Sequence, residues 1–193
     1  MLDNLKDRHI ILASHSPRRR FLLSQLGLEF TETSADIDES IPDGMSPGDA
    51  ALFLAEKKAD CFTELTEDQR NIIITADTLV LVNGLVLGKP EGKEGAVRML
   101  KTLSGNMHRV VTGICIRSSE KQRSFTNWTD VYFKELTDDE IGYYLEKYKP
   151  YDKAGAYGIQ EWIGYIGITR IDGSYFNVMG LPVQQLYEEL SRF

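Results

Sequence analysis

Three consecutive arginines open a predicted helix, and this is an unfavourable place for positive charge. Ser16 is a typical N-cap residue and Pro17 suits the first helical position, so Arg18–Arg20 fill the first turn. The amino end of a helix dipole is already positive, and cations there destabilise the helix unless an anion binds. Backbone N–H groups and guanidinium groups at this end are together suited to phosphate. We therefore expect a phosphate-binding turn, with a solvated charged turn as the alternative.

A single aspartate, Asp77, directly follows an apolar run at 71–76 that is typical of a strand covered on both faces. The next segment predicts a β-hairpin, because Asn83-Gly84 separates two apolar runs. We therefore expect Asp77 where a buried strand stops and a hairpin starts. A carboxylate in that position could bind a divalent metal or act as a general base, and a turn-forming aspartate is the alternative.

Other charged residues could complete such a site. Asp38 and Glu39 lie in a polar loop and could hold Mg²⁺, which takes only one or two carboxylates, although solvated loop charges are the simpler interpretation. Lys58 lies on a predicted helix, and Lys89 follows the predicted hairpin. Each is more typical of a surface lysine unless it faces an anion. The sequence has no P-loop signature, so phosphate binding must come from the Ser–Pro–Arg turn.

Strands and helices alternate along the chain, and one hairpin interrupts the β-α-β rhythm. This pattern predicts an α/β fold with a mixed sheet. The whole chain, residues 1–193, is long enough to bury a sizeable core as a single domain. The predicted strands lie at 10–13, 28–33, 71–76, 108–117, 124–136, 165–171 and 174–178, with a hairpin at 79–88 and helices at 17–26, 46–62, 91–104, 137–148 and 181–190.

Composition restricts the partners and the compartment. The net charge of −7 argues against general binding to nucleic acid or to an anionic membrane. Cys61 and Cys115 are far apart without metal-ligand spacing, so we expect reduced thiols in or near the core of a cytoplasmic protein. Residues 1–9 lack the apolar core of a signal peptide, and no run is long and apolar enough to cross a bilayer.

Six motifs occur in order and together resemble the Maf family of nucleoside triphosphate pyrophosphatases. No single motif is specific, but the set extends over essentially the whole chain. The motifs are Leu12–Arg19 (L-A-S-x-S-P-R-R), Ala76–Thr78 (A-D-T), Gly88–Pro90 (G-K-P), Leu103–His108 (L-S-G-x-x-H), Asp152–Gln160 (D-K-A-G-A-Y-G-I-Q) and Gly173–Pro182 (G-S-Y-x-N-V-x-G-L-P).

The resemblance implies hydrolysis of a nucleoside triphosphate between its α- and β-phosphates, with a divalent cation such as Mg²⁺ or Mn²⁺. It also implies a homodimer and an elongated, twisted mixed β-sheet flanked by helices around a deep cleft, similar to inosine triphosphate pyrophosphatases. Asp77 matches the family's proton acceptor, and whether it also binds metal with Glu39 is left open. The residues that set base preference in the family match Arg18, Thr78 and Gln160. The polar positions that line the family's cleft match Ser14, Arg19, Glu39, Lys58 and Lys89. The resemblance implies that phosphate is bound by Ser14, Arg18, Arg19, Lys58 and Lys89.

The segment Lys153–Gln160 is similar to the branch that acts on dTTP and UTP, and differs from the sister branch that acts on 7-methyl-GTP. The amide of Gln160 offers both a donor and an acceptor, which match N3–H and the adjacent carbonyl of uracil or thymine. In the family, small residues usually follow this Gln, whereas this sequence has Glu161-Trp162. We expect these larger residues to alter the rim of the base pocket. The rival hypothesis is a non-catalytic regulatory or nucleotide-binding protein linked to cell division.

Overall fold

The computed structural model describes residues 2–193. Its strands are β1 (His9–Ala13), β2 (Phe30–Thr33), β3 (Asn71–Val82), β4 (Leu85–Leu87), β5 (Met107–Arg117), β6 (Gln122–Phe133) and β7 (Ile168–Asp172). Its α-helices are α1 (Pro17–Ser24), α2 (Pro47–Asp60), α3 (Gly92–Leu103), α4 (Asp138–Tyr148), α5 (Trp162–Gly167), α6 (Tyr175–Met179) and α7 (Val183–Ser191). Within these described residues, every helix is too short or too polar to cross a membrane.

The strands of residues 2–193 form one sheet in the order β2-β1-β3-β5-β6-β7, with β4 paired to β3. Strand β1 runs parallel to both β2 and β3. The β3–β4 and β6–β7 pairs are antiparallel. Parallel and antiparallel pairs therefore share one sheet, and the predicted mixed α/β fold is confirmed.

The described chain divides into two compact units. Unit 1 contains the chain up to Asp77 together with Thr112–Asn127 and Gly180–Phe193. Unit 2 contains Thr78–Val111 and Trp128–Met179. That residues 1–193 act as a single domain stays a prediction.

Helix α2 lies close to the sheet in unit 1 because its buried face carries small side chains. Ala51, Ala55 and Ala59 recur every four residues, so they share one helix face, and all three are fully buried. Ala55 and Ala59 pack against Cys115 of β5. Two residues earlier, Gly113 approaches α2 so closely that an added Cβ would overlap the backbone carbonyl of Ala51. The spacing between α2 and β5 therefore depends on glycine at position 113.

Three rings form a buried cluster in unit 2. His108 contacts Phe133 and Tyr157 edge to face, with ring centroids 5.1 and 5.3 Å apart. The Nε2 atom of His108 lies 2.7 Å from the Tyr157 hydroxyl. Burial lowers the pKa of His108 to about 4, so the imidazole is neutral at physiological pH. This histidine therefore belongs to the core.

Strand β3 is longer than predicted, and this changes the position of Asp77. The prediction that the strand stops at residue 76 is wrong, because β3 continues without a break to Val82. Its pairing with β1 covers 71–74, and its pairing with β4 covers 80–82. Asp77 is buried between these two paired segments. The apolar residues after Thr78 continue the strand, so Asp77 interrupts its hydrophobic pattern without ending it.

Three predictions outside the candidate site are also wrong. Residues 174–178 form most of α6 rather than a strand, because the Ser174 hydroxyl accepts the Asn177 backbone N–H at 3.2 Å and so starts a helical turn. The strand predicted at 165–171 is reduced to β7, since α5 occupies its first residues. Cys61 is exposed rather than near the core, whereas Cys115 is buried as predicted.

Candidate active site

The amino end of α1 forms the first part of the site, in unit 1. The Ser16 hydroxyl accepts the backbone N–H of Arg19 at 3.4 Å, and Pro17 is the first helical residue. The Ser14 hydroxyl in turn accepts the backbone N–H of Ser16 at 3.2 Å. The predicted cap and proline are confirmed, and two hydroxyl groups organise the turn before the helix.

The side chain of Arg19 is fixed at this end of the helix. Its Nε donates to the carbonyl of Gly180 at 2.8 Å, and its Nη1 donates to the Ser14 hydroxyl at 3.5 Å. Burial lowers the pKa of Arg19. Three neighbouring charges also act on this pKa, which places them in one electrostatic group with Arg19: Asp77, Arg18 and Glu39.

Arg20 differs from Arg19 in its surroundings. It is exposed, and its Nε donates to the carboxylate of Glu32 at 2.6 Å. An ion pair of this kind at the surface contributes little to stability. Arg19 and Arg20 are therefore not equivalent, because Arg19 is held against the candidate site and Arg20 is paired at the surface.

Lys58 links two carboxylates of unit 1. Its Nζ donates to Oε1 of Glu39 at 3.0 Å and to Oδ1 of Asp77. The side chains of Lys58 and Asp77 are only 16% and 12% exposed. Lys58 lies in the last turn of α2, where the helix dipole favours a cation. The structure thus brings together three of the residues that the sequence predicts for the site.

A buried threonine aligns α2 with β3 in this unit. The Thr75 hydroxyl donates to the backbone carbonyl of Ala55 at 2.6 Å. Thr75 and Asp77 share one face of the strand, and Ala55 and Lys58 share one face of the helix. This hydrogen bond therefore sets the ammonium of Lys58 beside the carboxylate of Asp77. Sequence analysis missed Thr75, although a lone hydroxyl within an apolar strand was a signal.

The carboxylates of Glu39 and Asp77 have the donor chemistry that a divalent cation such as Mg²⁺ takes. Across residues 2–193, no group of three or more His, Cys, Asp or Glu side chains converges. Mg²⁺ does not need one, because it commonly takes one or two carboxylates and completes its shell with water and substrate phosphates. Glu39 and Asp77 share one ammonium as a neighbour, so a single cation already bridges them. The chemistry of this pair fits Mg²⁺ or Mn²⁺.

Three other predicted site residues belong to unit 2. Thr78 is half-buried in β3, and Lys89 is exposed just after β4. Gln160 is half-buried, and its Oε1 is fully buried with no hydrogen-bond partner among residues 2–193. A buried acceptor without a donor costs about 1–3 kcal/mol.

Gln160 lies in a tight turn that begins at Gly158. The backbone N–H of Glu161 donates to the carbonyl of Gly158 at 3.0 Å. An added Cβ at position 158 would lie 3.0 Å from Nε2 of Gln160 and 2.8 Å from Cδ of Glu161. The absence of a side chain at Gly158 therefore leaves the space in which the Gln160 amide lies.

Fold and site together define an α/β protein with a helix end suited to anions and a lysine-linked pair of carboxylates. The chain belongs to the Maf-like protein family, whose match covers residues 9–193. A relative from Bacteroides thetaiotaomicron named dTTP/UTP pyrophosphatase is 51% identical over 193 residues, covering 100% of both chains. A relative of the same name from Porphyromonas gingivalis is 53% identical over 196 residues, covering 100% of this chain and 98% of its own.

Solved structures give weaker similarities. The Ham1 protein of Staphylococcus aureus aligns with a TM-score of 0.41 at 16% identity, covering 65% of this chain and 72% of its own. A nucleoside-triphosphatase / dITP/XTP pyrophosphatase from Mycobacterium abscessus aligns with a TM-score of 0.38 at 14% identity, covering 65% of this chain and 72% of its own. Similarity at this level supports no argument about the site.

Proposed function

We propose that this protein hydrolyses nucleoside triphosphates, dTTP and UTP among them, to the monophosphate and pyrophosphate. The observation that carries the proposal is the ammonium of Lys58 between Asp77 and Glu39, in the same electrostatic group as Arg19. Identities of 51% and 53% with proteins named dTTP/UTP pyrophosphatase support the substrate class.

The cations of unit 1 are suited to the charge of a triphosphate. Arg18, Arg19 and Lys58, with the Ser14 hydroxyl and the first N–H groups of α1, supply charge-assisted hydrogen bonds. Such bonds are stronger in a partly buried site than in water. Phosphate binding by Lys89 and base selection by Arg18 and Thr78 rest on the family resemblance and stay predictions.

Asp77 is the proposed proton acceptor. A water oxygen attacks the α-phosphorus, the bond to the α–β bridging oxygen breaks, and pyrophosphate leaves with the bonding electrons. The proton of the attacking water passes to the Asp77 carboxylate. Glu39, with Asp77 as the second candidate, would hold the divalent cation, which when bound neutralises charge on the phosphate oxygens. Lys58 orients the Asp77 carboxylate through its hydrogen bond to Oδ1.

Gln160 supplies the proposed base selection. Its partnerless Oε1 suits the N3–H of uracil or thymine, and its Nε2 suits the adjacent carbonyl. Cytosine presents an acceptor at N3, which would leave Oε1 without a donor. Sites that lose a buried hydrogen bond with the wrong substrate discriminate strongly, so we expect UTP and dTTP to be preferred over CTP.

A nucleotide panel with separate detection of pyrophosphate and orthophosphate tests this function. We expect the monophosphate and pyrophosphate in equal amounts from dTTP and UTP, and slower turnover of CTP. Orthophosphate without pyrophosphate would indicate a phosphatase and contradict the proposal. Nucleotide binding without any turnover would instead support the non-catalytic regulatory hypothesis.

The remaining expectations stay predictions and have direct measurements. Chelation by EDTA followed by addition of Mg²⁺ or Mn²⁺ tests the need for a divalent cation. Sedimentation velocity tests the homodimer, and cell fractionation tests the cytoplasmic location. The net charge of −7 supports the expectation that nucleic acid is not a partner.

A further inference from the structure

The turn that carries Gln160 is held at both ends by one hydroxyl group. The Tyr144 hydroxyl accepts the backbone N–H of Gly158 at 3.0 Å and donates to Oε2 of Glu161. Tyr144 is fully buried on α4. The two ends of the turn are thus joined through a side chain that packing already fixes.

A buried lysine engages the other oxygen of Glu161. The Nζ of Lys153 lies 3.1 Å from Oε1 of Glu161 and 2.8 Å from Oδ1 of Asp152. Lys153 is buried, and a buried ammonium needs a carboxylate partner. Each oxygen of the Glu161 carboxylate therefore has its own donor, so this side chain cannot rotate without losing a bond.

The side chains of Glu161 and Gln160 both lie close to the backbone of Gly158. If residue 158 carried a Cβ atom, that atom would lie 3.0 Å from Oε1 of Glu161 and 3.0 Å from Nε2 of Gln160. On the other side of the turn, Gly164 approaches so closely that an added Cβ would overlap the Ile159 carbonyl. The turn that carries Gln160 is therefore closely packed at Gly158 and at Gly164, where a larger residue would not fit without movement.

We propose that Glu161, held by Tyr144 and Lys153, is a positioning residue for base selection. It keeps the Gln160 amide in the orientation that directs Oε1 at the N3–H of a pyrimidine. The inference rests on the proposed role of Gln160, because Glu161 is assigned no contact with substrate.

Tyr144→Phe removes the hydroxyl that bonds to Gly158 and Glu161. Tyr143→Phe is the matched control. Tyr143 lies on the same helix but is 44% exposed, and its hydroxyl accepts from Lys147 at 2.8 Å. We expect Tyr144→Phe to lower the ratio of kcat/KM for UTP to that for CTP by about tenfold, the value of one weakened hydrogen bond. The loss for UTP should lie mainly in KM. Tyr143→Phe should leave the ratio unchanged.

Glu161→Gln provides a second test that does not remove the tyrosine. The new amide still accepts from the Tyr144 hydroxyl, but the charge opposite Lys153 is gone. We expect a smaller drop in the UTP to CTP ratio, again in KM. All variants are assayed below their measured melting temperatures, so that unfolding does not enter the ratio.

Gln160→Ala separates failure of this inference from failure of the proposed function. If Gln160→Ala leaves the UTP to CTP ratio unchanged, the proposed base-reading role is wrong, and the inference that depends on it falls with it. If Gln160→Ala abolishes the preference while Tyr144→Phe and Glu161→Gln retain it, the positioning role alone is wrong.

Discussion

Two lysines of this molecule each lie between two carboxylates, yet the two arrangements differ in the rest of their contacts. In both, the lysine and one carboxylate are largely buried and the second carboxylate is exposed. One arrangement lies in unit 1 and the other in unit 2. They are Lys58 with Asp77 and Glu39, and Lys153 with Glu161 and Asp152.

Sequence distance and the remaining hydrogen bonds separate the two arrangements. Both partners of Lys58 are 19 residues away, so that bridge gathers charge from separate elements. Lys153 pairs with its neighbour in sequence and with Glu161, whose other oxygen is bonded to the Tyr144 hydroxyl. The first arrangement therefore joins charges from separate elements, and the second is tied through Tyr144 to a backbone turn. A lysine between two carboxylates is therefore not enough to identify a functional site. The other hydrogen bonds of these groups must be considered as well.

Replacing one aspartate in each arrangement should produce the largest contrast. Asp77→Asn removes the proposed proton acceptor, and we expect kcat for dTTP to fall by about 10²–10⁴-fold. Asp152→Asn replaces an exposed carboxylate, and we expect kcat within about twofold of wild type. Pyrophosphate release under saturating substrate measures both. Near-normal turnover of Asp77→Asn would show that Asp77 is not the base.

Replacing the lysines should separate stability from cation binding. Lys153→Met leaves the Glu161 carboxylate without its cation, and we expect the free energy of unfolding to fall by about 3 kcal/mol. Lys58→Met leaves two adjacent carboxylates, which Mg²⁺ can then neutralise. Urea unfolding with and without Mg²⁺ measures both effects. Mg²⁺ should restore stability to Lys58→Met and not to Lys153→Met, and the opposite pattern would contradict the assignment of the two arrangements.

Acid should destabilise unit 2 through His108. The pKa of His108 falls from 6.5 to about 4 on folding, so between these values the unfolded chain binds a proton that the folded chain does not. The free energy of unfolding therefore falls as pH drops from 6.5 towards 4, by up to about 1.4 kcal/mol per pH unit. His108→Gln should show a shallower fall over this range in denaturant titrations. An identical slope would mean that other groups account for the acid sensitivity.

The smallest effect is expected at Arg20, which lies next to the site in sequence but not in contacts. Arg20→Ala removes an exposed ion pair with Glu32 and should change the free energy of unfolding by about 0–1 kcal/mol. Its kcat/KM should stay near wild type. Arg19→Ala is the matched comparison and should raise KM for dTTP clearly, because Arg19 is proposed to bind phosphate. Equal effects of the two substitutions would contradict their different roles.

Features that depend on local chemistry were predictable from the sequence. The cap at Ser16, the start of a helix at Thr137 and the Asn83-Gly84 turn each satisfy backbone groups within a few residues, and all three occur in the structure. The residue types of the candidate site stand out in the sequence as well. A cation-rich helix start and an acid after an apolar run each conflict with local stability, and this conflict indicates a function.

Features that depend on tertiary contacts were not predictable. The continuity of β3 through Asp77 depends on pairing with two other strands, β1 before it and β4 after it. The bond between Lys58 and Asp77 depends on the position of α2, which Thr75 sets. Glu161 was predicted to bear on the rim of a pocket, but its bonds to Tyr144 and Lys153 need a helix and a loop brought together by the fold.

The close approach of Gly113 to Ala51 has a consequence for how this protein tolerates sequence change. Any side chain at position 113 must push α2 away from β5, and Lys58 lies on that helix. In a mutational scan selected for turnover, position 113 should be as intolerant as Asp77, although glycine has no group that takes part in the reaction. Such a scan would therefore detect positions that set the distance between α2 and β5 as well as positions whose side chains are proposed to act in the reaction.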